Sequence, residues 1–234
     1  MYALILAGGR GERLRPLTDT IPKPMIAVNG KPLLCYQLAW LKGGGVTDVV
    51  FLCGYRWEAI QDYFQDGTGF GVRAQYSVER SPLGRGGALR RGLRHVPGTE
   101  RAVVALNGDV VTNDDLADLV RFHQRSNNTA TLMLTPYPNA YGVVDVDPEG
   151  KVRGFTEKGT LPFWINAGIY VLDRSIRDEL PTRGDHETTT FPRLAEQGRL
   201  SAYFSQAFCK SVDSFKDLRE VEEAALQGLL RTEG

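Results

Sequence analysis

Short apolar runs alternate with helix-periodic stretches through the first half of the chain. Tyr2–Leu6 is a continuous apolar run ending in glycines, the pattern of a strand covered on both faces. Pro32–Lys42 reads as a helix that opens on proline and stops at Gly43–Gly45. Asp48–Cys53 is a second strand, rich in valine. Trp57–Phe64 is helical, with Ile60 and Phe64 on one face. Val72–Val78 is a third strand, Gly84–Arg94 a helix, and Arg101–Leu106 a fourth strand. Asp114–Arg125 carries Leu116, Leu119, Val120 and His123 at helical spacing. This alternation predicts right-handed βαβ units and an α/β fold, a doubly wound, mostly parallel, Rossmann-like sheet.

After residue 128 the pattern changes. Thr129–Thr135, Gly142–Val146, Val152–Thr156 and Ala167–Leu172 read as strands with little helix between them, and Asp147-Pro148-Glu149-Gly150 is a turn between two of them. Antiparallel additions to the sheet are expected there. Phe191–Gln197 reads as a short helix, Ser201–Phe204 as a strand, and Ser214–Leu230 as a closing amphipathic helix. No linker composition, repeat or low-complexity stretch interrupts the chain, so residues 1–234 are expected to form a single domain.

Composition narrows the function classes. Apolar residues make up 42% and charged residues 24%, ordinary for a soluble protein. Lys plus Arg and Asp plus Glu number 28 each, and this balance argues against a general nucleic-acid binder. Cys35, Cys53 and Cys209 are scattered and follow no metal spacing, so they read as small buried hydrophobes in a reducing compartment. No apolar run approaches membrane-spanning length, and Tyr2–Ala7 is too short for a signal peptide. A cytoplasmic protein is expected. Oligomeric state stays open, a homo-oligomer included.

The chemistry begins at the end of the first strand, with Leu6-Ala7-Gly8-Gly9-Arg10-Gly11-Glu12-Arg13-Leu14-Arg15-Pro16-Leu17-Thr18, followed by Pro22-Lys23-Pro24. In open α/β sheets ligands bind beyond the carboxyl ends of strands. Glycines there let the backbone approach a ligand and aim N–H groups at phosphate oxygens. Arg10, Arg13, Arg15 and Lys23 add positive charge suited to a triphosphate. No Gly-Lys followed by Ser or Thr is present, which excludes a P-loop. Leu14 stands where a dinucleotide fingerprint needs its third glycine, and Pro16 opposes the helix that fingerprint opens. Asn107-Gly108-Asp109 closes the fourth strand, so Asp109 faces the same crevice. Alone it reads equally as a turn residue or helix cap; beside the glycine-rich segment, Mg²⁺ ligation is the better reading.

This segment resembles the signature of sugar-phosphate nucleotidyltransferases: Leu-Ala-Gly-Gly, a Gly-x-Arg-Leu continuation, Pro-Leu-Thr, then Pro-Lys-Pro. Glu12 stands where many members have threonine. The resemblance covers nearly the whole chain, including Tyr-Ser-Val-Glu, Pro-Leu-Gly-x-Gly-Gly-Ala and Leu-Asn-Gly-Asp. It looks closest to short guanylyltransferases acting on manno-heptose 1-phosphate, then to those acting on mannose 1-phosphate. It implies that Leu6, Ala7, Gly8, Gly9, Gly11, Glu79 and Gly84 bind the nucleotide, and that Arg13, Lys23 and Asp109 carry the catalysis. It also implies a nucleotide-binding half over 1–128 and a sugar-phosphate-binding half with the closing helix over 129–234. Tyr141-Gly142-Val143-Val144, Glu157-Lys158 and Asn166-Ala167-Gly168-Ile169-Tyr170 match the family's sugar-binding set in order. Gly142, Glu157, Lys158 and Asn166 are thus expected at the sugar phosphate.

The resemblance assigns Mg²⁺ to Asp109 and asks for a second carboxylate late in the chain. Some relatives read Asp-x-Gly-Thr-Pro there, which would put the ligand at Ser211; others carry a Val/Ile-Asp-Ser/Thr form like Val212-Asp213-Ser214. Residues two apart on a strand face one side, so Asp213 could serve; equally, Asp213 or Ser214 could cap the last helix. The implied substrates are a nucleoside triphosphate and a sugar 1-phosphate. Glu79 favours GTP, because a carboxylate only accepts hydrogen bonds and guanine offers two adjacent N–H donors. A uridylyl- or thymidylyltransferase remains the alternative, as does a non-catalytic sensor. The phosphate nucleophile needs no general base, so no role is expected for His95, His123 or His186 beyond solvated or helix-face positions. Asp145-Val146-Asp147 mimics a glycosyltransferase metal motif but lies in an expected hairpin.

Overall fold

The computed structural model describes residues 1–139, 141–157 and 159–232. The first half builds β1 (Tyr2–Ala7), β2 (Ala27–Val28), β3 (Lys31–Pro32), α1 (Leu33–Gly43), β4 (Asp48–Cys53), α2 (Glu58–Phe64), β5 (Arg73–Val78), α3 (Gly84–Gly92), β6 (Ala102–Asn107), β7 (Val110–Thr112) and α4 (Leu116–Ser126). The second half adds β8 (Ala130–Pro138), β9 (Val143–Val146), β10 (Val152–Thr156), β11 (Thr160–Asp173), α5 (Thr190–Glu196), β12 (Leu200–Phe204), β13 (Cys209–Ser211) and α6 (Phe215–Leu226).

Seven strands form one sheet in the order β12-β8-β11-β6-β1-β4-β5. β6, β1, β4 and β5 run parallel, β11 is antiparallel to both its neighbours, and β12 is parallel to β8. The α/β, doubly wound, mostly parallel sheet with antiparallel additions read from the sequence is the fold observed. Strand alternation explains the layering. Ala3, Ile5 and Ala7 of β1 face α1, α2 and α4 through Leu38, Ile60 and Leu119. Leu4 faces α3 and α5 through Leu89 and Leu194. Both faces are covered, so β1 reads as an unbroken apolar run. A third cluster, with Leu14, Ile26, Leu33, Val212 and Leu218, packs α6 over the segment that follows β1.

Several boundaries differ from the expectations. Pro32 ends β3, and α1 begins one residue later. β11 spans fourteen residues rather than Ala167–Leu172 alone. Its leading part, with Phe163 at 65% exposure, extends along β8 away from the core and lacks the buried run that marks Ala167–Leu172. The closing helix stops at Leu226. The short pairs β2–β3 and β7–β13, of two and three residues per strand, were not foreseen, being too short to carry a period. No helix among the described residues is long and apolar enough to cross a membrane.

Candidate active site

A cavity of about 670 Å³ opens beyond the carboxyl ends of the four parallel strands. Its wall takes Gly8 and Gly9 from the turn after β1, Gly54 from after β4, Glu79 from after β5, and Asn107–Asp109 from after β6. Each parallel crossover leaves the sheet at this end, so the crevice follows from the topology. The glycines let these turns crowd together. A Cβ on Gly8 would lie 3.1 Å from Glu79 Oε1, and one on Gly54 would lie 2.9 Å from Gly8 O. Gly11 adopts a left-handed φ of 61°, and a Cβ there would lie 2.9 Å from both Lys23 Cβ and Thr18 Cγ2. Glycine thus allows the Lys23 segment to lie against the turn. Leu6, Ala7, Gly84 and Arg10 complete this part of the wall.

Lys23 is the centre of the charged cluster. Its Nζ donates to Asp109 Oδ2 at 2.5 Å and to Asp213 Oδ1 at 2.7 Å. Arg13 Nη2 reaches the same Asp213 oxygen at 2.6 Å. Three separate pieces of chain bring these groups together. Pro22-Lys23-Pro24 forms a tight turn, with Met25 N–H donating to Pro22 O at 2.8 Å. Buried Gln37 on α1 donates from Nε2 to Asn107 O at 2.8 Å and Val110 O at 2.5 Å, clamping both ends of the loop that carries Asp109. β13 pairs with β7, and Val212 N–H donates to Asp109 O at 2.9 Å, which sets Asp213 beside Asp109.

The structure separates the two readings of Asp213-Ser214. Ser214 is the cap of α6: its Oγ accepts from Asp217 N–H at 3.2 Å. The Asp213 carboxylate points instead at Lys23 and Arg13. Burial pushes the Asp213 carboxyl up, but the hydrogen bond and charge of Lys23, with Arg13, more than offset this and leave it below the ordinary carboxylate range. Asp109 Oδ1 is buried without a hydrogen-bond partner among the described residues. An orphaned hard oxygen on one carboxylate with a second carboxylate alongside fits a divalent cation of the magnesium kind. Such a cation takes one or two protein carboxylates and fills its shell with water and phosphate oxygens. Accordingly, among the described residues no set of three His, Cys, Asp or Glu side chains is arranged to hold a metal by itself.

Residues 2–228 match the family model described as nucleotidyl transferase. The chain belongs to this family. It is 36% identical over 230 residues to a mannose-1-phosphate guanyltransferase of Pichia angusta, covering 93% of this chain and 62% of that protein. It is 37% identical over 209 residues to a mannose-1-phosphate guanylyltransferase of Mycobacterium tuberculosis, covering 86% of this chain and 57% of that one. The chain thus spans about 60% of the length of these curated relatives. Among solved structures, HddC from Yersinia pseudotuberculosis superposes with a TM-score of 0.77 at 24% identity, over 96% of this chain and 99% of that one. A UDP-glucose pyrophosphorylase complexed with UDP-glucose gives a TM-score of 0.74 at 17% identity, over 97% and 98%. These two likenesses establish the fold.

The remaining candidate residues of this nucleotidyl transferase family member fall into two groups. Glu79 lies on the cavity wall, where its Oε2 accepts from Leu83 N–H at 3.0 Å and its Oε1 faces Gly8 and Gly54. Gly142, Glu157 and Asn166 belong to the β9–β11 part and are not on that wall. Gly142 lies beneath Phe155 and Glu157, where a Cβ would come 3.1 Å from Glu157 Oε2. Lys158 lies outside the described residues. Asp147 serves the β9–β10 turn, accepting from Lys151 N–H at 2.8 Å, so the Asp145-Val146-Asp147 motif sits in the hairpin expected for it.

Of the histidines expected at solvated or helix-face positions, His123 takes the helix face and His186 departs from both. His123 is buried on α4 and shares a 2.9 Å hydrogen bond with Thr131. His186 is fully buried edge-on between Tyr170 and Phe191, and burial pulls its pKa down to about 4, so it is a neutral core residue near pH 7. Cys35 and Cys53 are buried as expected, whereas Cys209 is partly so. Sequence reasoning missed Gln37, whose clamp depends on a loop 70 positions away. It also missed Arg85, Asp185 and Glu187, a charged knot beside the cavity. Arg85 stood at the unspecified position of Pro-Leu-Gly-x-Gly-Gly-Ala, which was the available signal.

Proposed function

We propose that this chain transfers a nucleotidyl group from a nucleoside triphosphate, GTP by preference, to a manno-configured sugar 1-phosphate, releasing pyrophosphate. The carrying observation is the double contact of Lys23 with Asp109 and Asp213, at the mouth of a glycine-lined cavity. A sugar-phosphate oxygen forms a bond to the α-phosphorus while the bond to the β-phosphate oxygen breaks, and pyrophosphate carries the electron pair away. Both reactants are anions, so the protein's task is alignment and charge neutralisation. The backbone of Gly8, Gly9 and Gly11 cradles the triphosphate, with Arg13 and Lys23 offsetting its charge. Asp109 and Asp213 would hold Mg²⁺, which supplies Lewis-acid neutralisation of the phosphates. Asn166, Glu157, Gly142 and Lys158 take the sugar 1-phosphate.

GTP is favoured because Glu79, an acceptor-only group, stands on the cavity wall, and because the two curated relatives named above, from Pichia angusta and Mycobacterium tuberculosis, are mannose-1-phosphate guanylyltransferases. Residues 1–128 and 129–234 then act as the two substrate halves of one domain. The free thiols of Cys35, Cys53 and Cys209 fit a reducing cytoplasm. The test is pyrophosphate release from GTP, Mg²⁺ and mannose 1-phosphate or manno-heptose 1-phosphate. If none of four nucleoside triphosphates yields pyrophosphate with any of a panel of sugar 1-phosphates, the proposal is wrong.

A further inference from the structure

The segment between β11 and α5 is pressed against the start of α3. Gly84 has a φ of 73°, and a Cβ on it would lie 2.5 Å from Gly184 O. The N–H groups of Gly86 and Gly87 donate to that same carbonyl, at 2.9 and 3.4 Å. A Cβ on Gly86 would meet His186 N at 2.9 Å, and one on Gly87 would meet Thr182 O at 2.7 Å. This close approach sets Arg85, on the wall of the nucleotide cavity, against Asp185 and Glu187. Its Nη2 lies 2.7 Å from Glu187 Oε2.

The other Glu187 oxygen continues the chain of contacts. Oε1 accepts from Tyr170 O–H at 2.7 Å and from Asn166 Nδ2 at 3.0 Å. Asn166 Nδ2 also donates to Tyr170 Oη at 2.9 Å, and Asn166 Oδ1 accepts from Gly168 N–H at 2.9 Å. Both amide protons of Asn166 are therefore spent inside the protein. The carboxylate accepts only, and the Gly168 N–H donates only, so the two partners allow one orientation of the amide. The second lone pair of Oδ1 is what remains for a ligand, which makes Asn166 an acceptor for a hydroxyl hydrogen.

We propose that Glu187, held by Arg85 on the cavity wall, is a positioning residue that sets the amide orientation of Asn166 and so presents Asn166 Oδ1 to a sugar hydroxyl. This rests on the sugar-binding role of Asn166 given above. Arg85 is needed because it offsets the charges of Asp185 and Glu187, which would otherwise repel. Replacing Glu187 by glutamine keeps the size but introduces an amide that donates as well as accepts, so this side of Asn166 no longer demands a donor and Gly168 N–H alone is left to hold the orientation.

The experiment uses the sugar 1-phosphate and triphosphate that give turnover, with the single variants Glu187→Gln, Arg85→Gln and Asn166→Ala and the double variant Glu187→Gln/Asn166→Ala. Glu187→Gln is expected to raise KM for the sugar 1-phosphate about tenfold while KM for the triphosphate stays within about twofold. On the Asn166→Ala background it should change nothing further, because residues acting through one group are not additive. Multiplying effects in the double variant, or an equal rise in both KM values, overturns the proposal. An Asn166→Ala protein with unchanged sugar KM overturns the sugar assignment itself, and the proposal with it. Independently of turnover, the side-chain amide signals of Asn166 in ¹⁵N spectra of the ligand-free protein should shift in both Glu187→Gln and Arg85→Gln. Unmoved signals in Arg85→Gln break the link to the cavity wall.

Discussion

Lys23→Met isolates the work of one ammonium group. Methionine keeps an unbranched stem in a site where the lysine side chain is 12% exposed, and it removes the charge. Asp109 and Asp213 lose their contacts at 2.5 and 2.7 Å together, but the losses are unequal. Asp213 keeps Arg13 and is 35% exposed, so solvent screening limits its share to about 0.5–1 kcal/mol. Asp109 is 24% exposed, and Lys23 is the donor found on its carboxylate among the described residues. Its share is about 1.5–3 kcal/mol, the range for a hydrogen bond to a charged group. The sum, about 2–4 kcal/mol, lowers Tm by about 5–15 °C for a chain of this size.

The pH dependence fixes the sign. Burial raises the Asp213 pKa, yet Lys23 and Arg13 bring it below its ordinary value in the folded protein. A depressed carboxylate contributes stability that is present above the unfolded pKa and is lost as pH falls through the folded one. Lys23 is the larger of the two lowering influences, and methionine removes it. The Asp213 share of the stability gap between the wild-type protein and the variant is thus full near pH 7, and the gap narrows as pH drops below about 4. Urea denaturation at both pH values measures it. A gap near pH 3 as wide as that near pH 7 would refute the ion-pair account and leave only lost packing.

Asp213→Asn should cut kcat/KM about 100-fold or more in the pyrophosphate assay, because it weakens a fixed charge at the reacting phosphates. Ser214→Ala should leave turnover intact and cost about 1 kcal/mol in denaturant stability, as expected of a helix cap; the reverse pattern would make Asp213 the structural residue. Gln37→Leu leaves Asn107 O and Val110 O without the donor that joins them, at a cost of about 1–3 kcal/mol. It should raise the Mg²⁺ concentration for half-maximal turnover more than it lowers kcat at saturating Mg²⁺, and a loss confined to kcat would show that the clamp does not position Asp109.

Much of the fold was legible because its signals are local. β1, β4 and β6 are short apolar runs buried on both faces, and they and the half-buried edge strand β5 sit where the strand–helix alternation puts them. The leading part of β11 was not legible: its exposed Trp164 and Ile165 pair with β8 outside the core, exposed Phe163 lies in the register shift before them, and no alternation marks them. His186 was misread because its burial is made by Tyr170 and Phe191, residues from other elements.

The same division runs through the site. The amino-acid order by itself determined the glycine-rich turn after β1, the cations it carries, and Asp109 at the end of β6. Each follows from a strand end and the residue types beside it. Tertiary structure alone decided that Lys23 and Asp213, 190 positions apart, share a hydrogen bond, and that Ser214 rather than Asp213 caps α6. It also decided that Gln37 clamps the Asp109 loop and that Arg85 reaches Asn166 through Glu187. Spacing along a chain constrains which neighbours share a face. It carries no record of which distant carbonyl or carboxylate a buried donor will meet, because sheet order and crossover packing set that meeting.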